Sequence, residues 1–223
     1  MHNEQTKRLT LSAMMIAISV VLAIVCALIP FLNLPFGGGF TIASMLPIIL
    51  VSYMYGIRWG LFTSFTYSVI QILMDLMLGT GGSAIIPLFM PSSDDFMGFS
   101  AAIFILLLDY LVAYTVLGFG GVFRNRICNK GLALCLGAVV AVSLRYLVHI
   151  FSGYIFYGAW AEWFLSQEGF AFGNMILEVI PSGWFLSLIY SIVYNGLYMI
   201  PEIMITAIAA ILVSRIPQIK KAD

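Results

Sequence analysis

Apolar residues in this chain gather in long, nearly uninterrupted runs separated by short polar segments, the pattern of helices that are hydrophobic all round. A helix needs about 20 such residues to cross the hydrocarbon core of a bilayer. By that measure six spans are predicted, at 9–30, 41–56, 58–78, 99–123, 132–158 and 183–214. The second run is short and interrupted by Pro47, which predicts a tilted or kinked helix. The loop before it carries Pro35 and Gly37-Gly38-Gly39, suited to a lid or a plain turn. The run behind Lys7 and Arg8 continues to Pro30, longer than the apolar core of a secretory leader, so a first spanning helix is expected. No internal repeat, low-complexity segment or linker divides the chain, and residues 1–223 are read as one domain.

Composition agrees with the pattern. Hydrophobic residues make up 62% and charged residues 9%, against about 25% charged in a soluble domain. The expected fold class is an all-α integral membrane protein with six transmembrane helices. Net charge is zero, so nothing suggests nucleic acid, and the position of each charge carries the information. Lys7, Arg8, Arg58, Arg124, Arg126, Lys130, Arg215, Lys220 and Lys221 fall on one side of the six-span arrangement. Asp94, Asp95, Glu162, Glu168 and Glu178 fall on the other. The positive-inside rule then places both termini in the cytoplasm of a cell-membrane protein. Cys26, Cys128 and Cys135 form no CxxC pair and are read as small core residues; no metal or other cofactor is expected.

Five ionisable residues remain inside the spans: Asp75, Asp109, Arg145, His149 and Glu202. Such groups are costly in lipid and mark functional interiors. Counted from the acidic side, Asp109, His149, Tyr190 and Asn195 lie at a common depth of roughly 10 to 18 Å at 1.5 Å per residue, which predicts a pocket open on that side. Arg145 and His149 share a helix face, with Gly153 a turn beyond leaving a notch. Arg145 and Glu202 are candidates to pair with each other, leaving Asp75 and Asp109 as surplus negative charge suited to a cationic ligand. Tyr190 and Asn195 stand about 140° apart on a straight helix, so both reach one ligand only if that helix bends or Tyr190 sits at the rim. Ala13 and Ala17 form a small-xxx-small pair that would admit a partner helix.

Phosphate-loop, GxSxG and HExxH motifs are absent from the sequence, so the chain carries no ATPase of its own and no enzymatic activity is expected. His149 as a base oriented by Asp109 would suit an intramembrane enzyme, but no activated nucleophile accompanies them. A small homo-oligomeric, ion-coupled secondary transporter of a cationic metabolite is an alternative, since the buried charges could relay protons, although no inverted repeat is visible.

Several stretches resemble the thiamine-specific substrate-binding (S) components of energy-coupling-factor vitamin transporters. They are AxxxA at Ala13 to Ala17, the stretch from Gly38 into Met45-Leu46-Pro47, YGIRWGL around Arg58 and LLDYLVAY at Leu107 to Tyr114. The longest are LRYLVHIFSGYIFYG at Leu144 to Gly158 and SLIYSIVYNGLYMIPE at Ser187 to Glu202. The resemblance implies a six-helix subunit that captures thiamine and docks through the first span onto a transmembrane coupling protein carrying two ATPase subunits. Carried over position by position, the pocket falls on Asp109, Tyr110, His149, Tyr157, Tyr190 and Asn195, and the docking face on Ala13 and Ala17. A carboxylate and an asparagine can pair with an aminopyrimidine edge, while aromatics and imidazole can stack on a thiazolium cation. Asp109 and Tyr157 depart from the glutamate and tryptophan the resemblance leads one to expect, and the loops 79–99 and 158–181 are longer.

Overall fold

The computed structural model describes residues 2–32, 39–77 and 83–220. Five helices are long and apolar enough to cross a membrane: α1 (His2–Ala27), α3 (Ile57–Met77), α5 (Phe99–Gly121), α6 (Lys130–Phe156) and α9 (Trp184–Val213). Between them lie the shorter α2 (Leu46–Tyr55), α4 (Ile86–Phe89), α7 (Ala161–Leu165) and α8 (Ala171–Val179). Their outward faces carry large apolar side chains such as Met14, Phe62, Leu147 and Met204, each more than half exposed, as befits surfaces solvated by lipid.

Helix boundaries follow local chemistry. The Asn129 side chain caps α6 by accepting the Leu132 N–H at 3.1 Å. Pro47 occupies the first turn of α2, where its missing N–H costs nothing. Gly56 at φ 89° breaks α2 from α3 in a conformation that side-chain-bearing residues avoid.

The region expected as a second span, 41–56, takes a different form. Its helix has 10 residues, about 15 Å or half a hydrocarbon core. The part before it, 39–45, is irregular backbone, exposed at Ile42 and buried at Ser44 and Met45. Within a membrane such backbone is tolerated only where protein satisfies its polar groups. Glu202, 1% exposed on α9, accepts the Thr41 N–H and the Thr41 hydroxyl, each at 2.6 Å, and the Ile42 N–H points to Cys26 Sγ at 3.2 Å. Glu202 therefore holds this irregular segment and makes no ion pair with Arg145 among the described residues, correcting the expected pairing. Of the cysteines, Cys26 is buried as expected, whereas Cys128 is exposed in the α5–α6 connection. Pro35, Gly37 and Gly38 lie outside the described residues.

Contacts gather the basic groups at one end of the bundle. Arg8 lies over the Tyr55 ring at 5.5 Å, Tyr53 Oη reaches the Lys130 carbonyl at 3.3 Å, and Gly131 abuts Ser214. The helices meet closely there through small residues. Ser52 Oγ donates to the Gly118 carbonyl and accepts the Gly121 N–H at 2.9 Å, while Gly137 lies directly against the Gly120 carbonyl. At the opposite end the long loops fold back as α4, α7 and α8, leaving Glu162, Glu168 and Glu178 exposed. One further feature is not legible in the hydrophobic pattern: the middle of α5, Leu106–Val112, is π-helical, and Asp109 and Tyr110 stand on it.

Candidate functional site

A cavity of about 480 Å³ opens between α5, α6, α9 and the folded loops, within the range that holds a single small molecule. Asp109, Tyr110, His149, Tyr157, Tyr190 and Asn195 all line it, as do Arg145 and Gly153. The common depth counted along three separate spans is thus realised as one enclosure. Tyr190 and Asn195 both reach it because the cavity extends along α9 from the level of Tyr190 to that of Tyr198.

The polar groups are arranged before any ligand arrives. Asp109 Oδ1 pairs with His149 Nδ1 at 3.0 Å, and Oδ2 accepts the Ser152 hydroxyl at 2.8 Å. A carboxylate only accepts, so the imidazole proton belongs on Nδ1 and Nε2 is left as the free nitrogen. Among the described residues Nε2 is buried without a partner, on a residue that lines the cavity. A buried polar atom of that kind is costly unless something completes it. Asn195 bridges helices, donating to the His149 carbonyl at 3.3 Å and the Ser191 carbonyl at 2.9 Å and accepting from the Tyr198 hydroxyl.

Arg145 lies with its guanidinium 4.2 Å from the centroid of Tyr114 and one Nη 3.1 Å from Met45 Sδ. A cation over an aromatic face is stabilised by the ring quadrupole, which supplies the partner that Glu202 does not. Asp75 is not surplus charge facing the cavity. It stands behind the wall and accepts the Tyr110 hydroxyl at 2.8 Å together with donors from residues 83–85. The acids at the cavity are Asp109 and Asp95.

Aromatic rings form the remaining wall. Tyr190, Tyr194 and Tyr198 stack along α9 with centroids 5.6 and 6.4 Å apart, and Phe164 of α7 meets Tyr190 edge-on at 5.5 Å. Trp160 joins from the connection after α6 and Trp163 from α7. Reading spans alone missed these. The spacing of four in Tyr190, Tyr194 and Tyr198 is a legible signal of one helix face, whereas nothing local indicates that 160–164 folds back over the cavity. Ser152 was missed as well, although it follows His149 by three positions and so shares its side of α6. Ala13 and Ala17 are exposed on α1; Ser12 and Ser19, on its inner face, are buried.

Fold and site first define a class: a bundle of membrane-length helices enclosing an aromatic cavity with a fixed carboxylate–imidazole pair. The model of the thiamine transporter protein family (Thia_YuaJ) matches residues 9–166, and the chain belongs to that family. The thiamine transporter ThiT of Bacillus subtilis (strain 168) is 30% identical over 235 residues, covering 100% of this chain and 98% of that one. A solved structure of ThiT from Listeria monocytogenes matches with a TM-score of 0.61 over 97% of this chain and 98% of the other, at 21% identity, a likeness of fold. Membership and apolar helices together make this a multi-pass membrane protein.

Proposed function

We propose that this chain is the thiamine-binding subunit of an ATP-driven energy-coupling-factor uptake transporter in the cell membrane, with six spans and both termini cytoplasmic. The observation that carries the reading is the cavity itself. The Asp109 carboxylate lies beside an imidazole whose Nε2 has no partner among the described residues, and rings from α5, α7, α9 and the α6–α7 connection surround them. A flat, cationic, heteroaromatic molecule matches that lining: aromatic faces favour its charge, and Asp109 and Asn195 pair with an aminopyrimidine edge. Membership of the thiamine transporter family supports the same ligand.

In this reading α2 counts as the sixth crossing, completed by the irregular 39–45 segment, and the collection of basic residues at one end supports cytoplasmic termini. The exposed Ala13 and Ala17 leave a shallow strip on α1 where a helix of a transmembrane coupling protein could approach, with two ATPase subunits behind it. Calorimetric titration of purified protein, stripped of bound small molecules, with thiamine, riboflavin and folate tests the ligand. A saturable isotherm with thiamine alone is expected; heat with another vitamin and none with thiamine would overturn the thiamine assignment.

A further inference from the structure

Asp75 stands near the end of α3, outside the ring of residues that line the cavity, yet its carboxylate collects four donors. Oδ1 accepts the Ser83 hydroxyl and the Ile85 N–H at 3.1 Å; Oδ2 accepts the Ala84 N–H at 3.2 Å and the Tyr110 hydroxyl at 2.8 Å. Among the described residues these partners are all uncharged donors, so hydrogen bonds alone satisfy the carboxylate. Ser83 Oγ in turn accepts the N–H groups of Ile85 and Ile86 at 3.1 and 3.0 Å, which orients the first turn of α4. Ser83 and Ala84 themselves, with Pro87 and Leu88 of α4, form part of the cavity wall. Leu88 packs with Ala102, Ile105 and Tyr157, so the wall rests on α5 and on a cavity ring.

One carboxylate therefore holds both a wall segment and a lining tyrosine without touching the enclosed space. We infer that Asp75 is a positioning residue that latches 83–89 and Tyr110 together and thereby sets how fast a ligand leaves the cavity. Releasing the latch unpins the wall while leaving Asp109, His149 and Asn195 in place, so its effect falls on departure rather than on the chemistry of recognition. Asp75→Asn nearly preserves shape but places an N–H against donors that need an acceptor. Ser83→Ala removes a single arm, and Ser83→Thr restores the hydroxyl.

This inference rests on the cavity being the thiamine site, and two measurements on the full-length purified protein separate it from that reading. Stopped-flow fluorescence with thiamine is expected to show dissociation faster by roughly tenfold or more in Asp75→Asn, with association changed far less. Ser83→Ala is expected to move the same way and Ser83→Thr to recover. Hydrogen exchange without thiamine is expected to show faster exchange at Ala84, Ile85 and Ile86 in both Asp75→Asn and Ser83→Ala, and no change in α6. If the unaltered protein binds no thiamine, the ligand assignment fails and hydrogen exchange alone decides the latch. Unchanged exchange in the variants, or unchanged dissociation from Asp75→Asn where thiamine binds, overturns it; should Asp75→Asn fail to fold, the two Ser83 variants decide by hydrogen exchange without thiamine, which a lost ligand contact at the cavity-lining Ser83 would not move.

Discussion

The two ends of this bundle are built from the same helices by opposite means. At the basic end Gly118, Gly120, Gly121 and Gly137 remove side chains from between α2, α3, α5 and α6, so that the helices approach closely and Ser52 hydrogen-bonds across the gap. At the other end Tyr110, Tyr157, Phe164, Tyr190 and Tyr194 stand between the elements, and a cavity of about 480 Å³ remains. Lipid tails are as apolar as leucine, so helices in a membrane associate through close packing and hydrogen bonds rather than through expulsion of water. Where residues are small the bundle closes and holds. Where rings are too bulky to allow that approach, a site opens, and its polar groups need partners of their own.

The largest effect is expected from filling the closed end. A Cβ at Gly137 would fall on the Gly120 carbonyl, which is backbone and cannot rotate away, whereas one at Gly153 would meet side chains alone, the Ser191 hydroxyl and Cβ and the Asn195 amide. Gly137→Leu is expected to cost about 3 kcal/mol or more, with much of the protein lost from the folded fraction; Gly153→Ala is expected to cost less. Thermal unfolding in detergent compares the two, and equal losses would remove the contrast between the ends. At the open end, Asp109→Asn is expected to weaken thiamine binding by about 1.5 to 3 kcal/mol, or about 10- to 150-fold. Calorimetry checks the affinity, and a melting temperature that falls while affinity holds would assign Asp109 to the scaffold instead. The smallest effect on either end is expected from Ala13→Leu with Ala17→Leu, since both positions are exposed and surface changes lie within about 0.5 kcal/mol. Uptake by the reconstituted complex is nonetheless expected to be lost; normal uptake would move the docking face off α1.

Asp75 and Asp109 mark the limit of what was legible. Both are single acids in apolar runs, and the sequence treats them alike. Asp109 could be placed at the cavity because it shares a depth with His149 and Asn195, and depth follows from counting residues along a helix. Asp75 could not be assigned, because its partners come from a loop whose path no periodicity encodes. The Arg145–Glu202 pairing failed for a related reason: charge and depth were right, but Tyr114 and Thr41 were nearer partners. The short α2 was foreshadowed by Pro47, while the irregular segment before it was not, since the groups that satisfy its backbone lie on α1 and α9.

Residue order alone was enough to set the length of the apolar runs, the segregation of basic from acidic ends, and the depth of the ionisable residues. Each is a count along the chain, and the bilayer imposes a fixed length on any helix that crosses it. Packing in three dimensions was needed to settle which buried charge meets which donor, that 83–89 and 160–164 fold over the cavity, and that Asp109 presents an ordered imidazole to its interior. Those outcomes depend on contacts between residues up to 161 positions apart, and such contacts come into being only when the helices have packed.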